Sequence, residues 1–147
     1  VITIWAGKFG YENRITTTQL PEGTNLVTGI VNNFNDMPYI QEETGDFQIM
    51  TTHDKQTYDK VWFMGMSLLI DKENFVDTFE APLTGKGITT TWCANLKLGK
   101  AGEYRYYCCA AWELTDERFK DKDFYQDMIR DYAVELSEKI IPEIINE

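Results

Sequence analysis

His53 is the only histidine in the chain. It follows a strand-like run, between Thr51-Thr52 and Asp54, with Gln56 and Lys60 close behind. An imidazole at a strand end can act as a general acid or base near neutral pH, or hold a loop by a structural hydrogen bond. Glu113 closes a later β-rich run beside Trp112. A carboxylate there can serve as a base or bind sugar hydroxyls, or it is a surface acid ending a strand. Arg105, Tyr107 and Asn95 are the other polar candidates. They read either as the floor of a polar groove or as ordinary cross-strand pairs, contributing a few tenths of a kcal/mol each. The catalytic candidates are therefore His53 and Glu113, and the substrate-binding candidates are Arg105, Tyr107, Asn95, Gln56 and Trp112.

Other chemistries lack their signatures. The chain has no nucleophile elbow, P-loop, dinucleotide fingerprint, HExxH or EF-hand loop, which argues against serine hydrolases, NTPases and Rossmann enzymes and implies no cofactor. The three cysteines include no CxxC spacing, so a zinc site or disulfide framework is not expected, and all three read as small buried apolar residues. Glycan chemistry is not excluded, because it needs only two well-placed side chains.

The elements that must position these residues centre on Gly87 to Glu113. Gly87–Lys97 and Glu103–Glu113 are β-branched and aromatic, and Leu98-Gly-Lys-Ala-Gly102 joins them with turn chemistry. Pairing residues whose numbers sum to 200 sets Asn95 against Arg105 and Cys93 against Tyr107. One face then carries the polar set with Arg105, Tyr107, Cys109 and Glu113. The other carries Trp92, Ala94 and Leu96 beside Tyr104, Tyr106, Cys108, Ala110 and Trp112. The expectation is one hairpin with a packed face and a polar, ligand-capable face.

Along the chain, strands are expected at 1–6, 14–20, 24–32, 46–52 and 61–70. A turn is read at 9–13 and a loop at 33–45 that has room for an edge strand. A further short strand or helical turn is read within 71–82. Gly29 marks a bulge or a close backbone approach. The run 61–70 is apolar on both faces, as in a central strand covered on both sides. Six to eight strands with turns every 8–12 residues give an antiparallel β-sandwich as the fold class. From Asp123 apolar residues recur at i, i+4 and i+8 up to Ile141, an amphipathic helix docked on the open end or outer face of the sandwich. It begins at an Asp123–Gln126 capping box and is stopped or kinked at Pro142, within a helical segment spanning 123–146. The residues expected to be buried are Met128, Tyr132, Leu136 and Ile140.

The 147 residues suit one domain with a real core. Net charge is −10, of which −6 lies in residues 113–147, with eleven acids and five bases. No basic stripe is offered, so nucleic acid and anionic membrane are poor partners. Aromatic content is high, with eight Tyr, eight Phe and four Trp. Exposed pairs among Trp5, Trp62, Trp92 and Trp112 would make stacking platforms for sugar rings, while on a packed face they are core. Val1 stands inside an apolar alternating run, which suggests a mature form or, in preference, the C-terminal part of a longer chain.

Several segments together resemble a known family. They are ITIWAGKFGYENRI at 2–15, LPEGTNLVTGIVN at 20–32, TTHDKQ at 51–56 with the apolar strand after it, and GEYRYYCCAAWE at 102–113. The resemblance is to the C-terminal part of the domain of unknown function 4861 family, found with bacterial polysaccharide-utilisation enzymes. It implies a galactose-mutarotase-like supersandwich whose N-terminal part lies outside this sequence and is its partner. It also implies a periplasmic or extracellular protein that binds or processes plant or algal glycans. Mutarotase-like enzymes use a His with a Glu, and His53 with Glu113 is the one pair here able to imitate them. That reading places His53, Glu113 and Arg105 in one cleft. The alternative is a structural or interaction β-domain with no small-molecule ligand.

Overall fold

Met64–Asp71 is the strand about which the rest is laid. Its residues are apolar on both faces, and in the computed structural model, which describes residues 1–18 and 20–138, both faces are covered. Among the described residues there are nine strands: β1 (Ile2–Ile4), β2 (Gly10–Thr16), β3 (Leu26–Val31), β4 (Ile40–Thr44), β5 (Phe47–Asp54), β6 (Met64–Asp71), β7 (Phe75–Glu80), β8 (Thr91–Leu96) and β9 (Glu103–Trp112). A six-stranded antiparallel sheet runs β1-β2-β9-β6-β5-β4, and a three-stranded one runs β3-β8-β7. After β9 the described residues form a short 3-10 helix at Glu117–Lys120 and an α-helix, α1 (Lys122–Ser137). It is a mainly β two-sheet fold with one C-terminal helix, as expected.

The hairpin between β8 and β9 does not form. Asn95 faces Val27 on β3 and Asp77 on β7, and Arg105 faces Arg14 on β2. The two strands lie in different sheets, so residues 97–102 form an arch across the sandwich. The alternation of each strand is nevertheless as read. Trp92, Ala94 and Leu96 meet Tyr104, Tyr106 and Cys108 across the inter-sheet core. Alternation fixes which face is buried; it leaves open whether the facing strand lies beside or above. Asn74, 1% exposed, holds the arch: its Nδ2 donates to Lys97 O at 2.9 Å and to Glu103 O at 3.0 Å, and its Oδ1 accepts from Arg105 N at 3.3 Å.

The turn expected at 9–13 is instead the first half of β2, paired residue by residue with β9. Its polar Glu12 is buried because Tyr107 Oη donates to Glu12 Oε1 at 3.2 Å and Arg14 Nη2 donates to the same atom at 3.1 Å. The loop at 33–45 does carry an edge strand, β4. Gly29 is a close approach: a Cβ there would stand 2.6 Å from Trp92 O.

The helix covers the outer face of the large sheet. It starts one residue before the expected Asp123, and the cap is Asp121, whose Oδ1 accepts from Asp123 N at 2.8 Å and Phe124 N at 3.2 Å. Its buried stripe is Tyr125, Ile129, Tyr132 and Ala133, while Met128 and Leu136 are half-buried. The residues expected to continue the helix, Ile140 and Ile141 with the Pro142 stop, lie outside the described residues. Tyr125 settles onto Gly65, where a Cβ would come within 2.4 Å of the ring. Its hydroxyl joins Ser67 at 3.0 Å, which joins Thr51 at 2.9 Å.

Candidate functional site

The face of β9 that read as polar and open is the one α1 and the 3-10 helix cover, with Tyr107, Cys109 and Ala111 buried under them. That single fact disperses the expected cluster. Along β9, Arg105 precedes Glu113 by eight residues, which separates them by about 26 Å. Arg105 instead grips Asp71, with Nε at 2.7 Å and Nη2 at 3.1 Å from its two oxygens. Burial pulls the guanidinium pKa down, and the Asp71 carboxylate more than offsets this, so Arg105 stands above its ordinary value. Burial likewise pushes the Tyr107 hydroxyl up. Trp5 stacks over Tyr107 with ring centroids 6.2 Å apart. Asn95 lies in the small sheet, its side-chain oxygen enclosed without a partner among the described residues.

His53 and Glu113 do share the outer face of one sheet. His53 is level with Gly65 and Ala111, and Glu113 lies two residues further along. With β6 between their strands, their Cα atoms are about 12 Å apart. No hydrogen bond joins them among the described residues. His53 Nε2 lies 2.8 Å from Phe119 O; a carbonyl only accepts, so this nitrogen carries the proton. The ring stacks on Phe63 at 5.5 Å and tilts against Tyr125 at 5.9 Å. Glu113 is 8% exposed, its N–H donates to Phe63 O at 3.1 Å, and its Oε2 has no partner among the described residues.

Gln56 and Trp112, the remaining two candidates, come together elsewhere. At one end of the sandwich the large sheet runs past the small one, and β9 leaves its inner face open at Ala110 and Trp112. Met64 and Met66 of β6 extend this floor. The β5–β6 loop supplies Tyr58, Asp59 and Trp62 as one wall, and Val31 with Phe34 supplies the other. The result is a cleft of about 620 Å³, within the size range of small-ligand sites. Trp62 and Trp112 are each 36% exposed, and Tyr58, 88% exposed, meets Phe34 edge-on at 5.6 Å. Gln56 braces the wall: its Oε1 accepts from Asn35 Nδ2 at 2.5 Å, and its Nε2 donates to Met64 O at 2.6 Å. A second concavity, lined by Ile4, Tyr11 and Ala110, shares Val31 and Met66 with the first.

A family model described as Domain of unknown function (DUF4861) matches residues 1–141. The chain belongs to that family. No curated protein and no solved structure matches it. In this DUF4861 domain the sequence pointed to Trp112 but not to Tyr58, Phe34 or Asp59. Reading Val61 and Trp62 into a strand hid a loop, Thr57–Trp62, that carries two exposed aromatics around one acid. That spacing of aromatics in a polar loop was the available signal.

Proposed function

We propose that this DUF4861 domain binds glycans through the aromatic cleft at the end of its sandwich. The observation that carries the reading is the exposure of Trp62, Trp112 and Tyr58 in one concavity beside Thr57 and Asp59. Sugar rings are apolar on their C–H faces and polar at their edges, so flat aromatics with acceptors at the rim match them. The proposal carries the wider setting that the sequence resemblance implies: a periplasmic or extracellular domain handling plant or algal polysaccharide, with its two sheets part of a galactose-mutarotase-like supersandwich. Binding is favoured over turnover, because His53 is packed between Phe63 and Tyr125 and tied to Phe119 O.

The test is an affinity-gel and calorimetric screen of the chain against plant and algal polysaccharides and their oligosaccharides. Trp112→Ala and Trp62→Ala should each weaken any hit at least tenfold, about 1.4 kcal/mol, with the melting temperature within a few degrees of the parent. Binding untouched by both variants would place the ligand elsewhere.

A second reading, an interaction domain with no small-molecule ligand, is favoured by one observation. Ile2, Ile4 and Tyr11 on the inner face of the large sheet are exposed beyond the edge strand β3. An apolar shelf beside an unpaired strand edge suits an added strand. Light scattering that shows self-association, abolished by Ile4→Lys, would support that reading.

A further inference from the structure

We infer that the aromatic cleft selects uncharged oligosaccharides and turns away uronic-acid and sulfated ones. This rests on the glycan reading above. Among the described residues, those lining the cleft include no lysine or arginine, and the one charged side chain they contribute is Asp59.

The neighbouring cations are engaged or turned elsewhere. Lys60 Nζ lies 2.8 Å from Asp36 Oδ1. The Lys55 ammonium sits over the Phe63 ring at 5.4 Å, and Phe63 stacks with His53 of the outer face. Asp59 is fixed in place: its Oδ1 accepts from Thr57 Oγ1 at 2.6 Å and Val61 N at 3.3 Å. The Thr57 hydroxyl holds its carboxyl below the ordinary carboxylate value, so it is anionic across the neutral range.

An anionic sugar entering this cleft would lose hydration without gaining a cation, and would meet a fixed charge of its own sign. The net charge of −10 adds to the same repulsion. A neutral sugar has the opposite fit. Its hydroxyls donate to the second oxygen of Asp59, and its apolar face lies on the indoles.

Calorimetry of the chain against two panels separates the possibilities. One panel holds neutral xylo-, manno-, gluco- and galacto-oligosaccharides, and the other oligogalacturonides and sulfated galactan oligosaccharides. The best neutral ligand should bind at least about tenfold more tightly than the best anionic one at low salt, and added salt should narrow the gap. Asp59→Asn keeps the Oδ1 acceptor that closes the turn. It should improve anionic binding about threefold or more at low salt, as removal of a like charge requires, with an unchanged melting temperature. Anionic ligands binding as tightly as neutral ones, with the binding lost in Trp112→Ala, would overturn the selectivity and keep the glycan reading. Anionic affinity unmoved by Asp59→Asn would overturn the charge argument. If no ligand of either panel binds, the glycan reading falls and this inference falls with it.

Discussion

A half-buried imidazole that donates to a backbone carbonyl and packs against two aromatic rings ties together the elements that carry them. His53 does this between β5, the residue before β6, the 3-10 helix and α1. Replacing it by alanine leaves Phe119 O without its donor and opens space beside Phe63 and Tyr125. We expect His53→Ala to lower unfolding free energy by about 1–3 kcal/mol in urea titrations. Glycan binding per folded molecule should stay unchanged. A loss below half a kcal/mol would instead leave the ring free for chemistry. Glu113 was legible as a strand-end carboxylate, and its place on the His53 face follows from the pairing of β5, β6 and β9. Arg105 was legible as a charged strand residue, but not its partner. Asp71 lies 34 positions away in sequence, and only the sheet brings it alongside.

At the scale of elements, the sequence carried the periods and not the partners. Trp92 and Trp112 both fall on the inward face, as alternation requires. Trp92 packs against Tyr39 at 5.5 Å, whereas Trp112 stays 36% exposed because the small sheet ends before reaching it. Face assignment is local, while cover depends on which strands sit opposite. The arch between β8 and β9 shows the same limit: a glycine-containing loop between two alternating runs reads as a hairpin unless something splits it. Asn74 is that something. Asn74→Ala should cost about 1–3 kcal/mol, since it removes the donor to Lys97 O, the acceptor for Arg105 N and one of the two donors to Glu103 O, which keeps Gly99 N, and chemical denaturation would show it. Retained stability would mean that the arch is held by its flanking strands alone. On α1, Ile129 is 1% exposed and Leu136 half-buried. Ile129→Ala should therefore cost about 2–5 kcal/mol and Leu136→Ala distinctly less, reversing the order that the apolar stripe alone suggests. Equal losses would mean that both side chains are enclosed to the same depth.

For the whole molecule, two cores lie on opposite sides of one sheet, and the outer one is rich in groups that ionise only at high pH. Burial pushes the Cys109 thiol up to about 12 and the Tyr132 hydroxyl up to about 12, from ordinary values of 9.0 and 10.0. Burial raises Tyr107 and Tyr125 as well. In each case the folded state holds its proton more tightly than the unfolded chain. The stability this provides is complete below the unfolded pKa values and is lost as pH rises from 9 towards 12, because the unfolded chain ionises first. The melting temperature should therefore fall steadily over that window, and loss of near-ultraviolet circular dichroism should accompany phenolate absorbance. Burial raises the Cys93 and Cys108 thiols too, so Cys109→Ala removes one of three groups that ionise first in the unfolded chain: the fall should still begin near pH 9 but be shallower before the phenols titrate. A melting temperature flat from pH 9 to 11 would mean that water reaches the core beneath α1, and the helix would then be no lid over the outer face of the sheet.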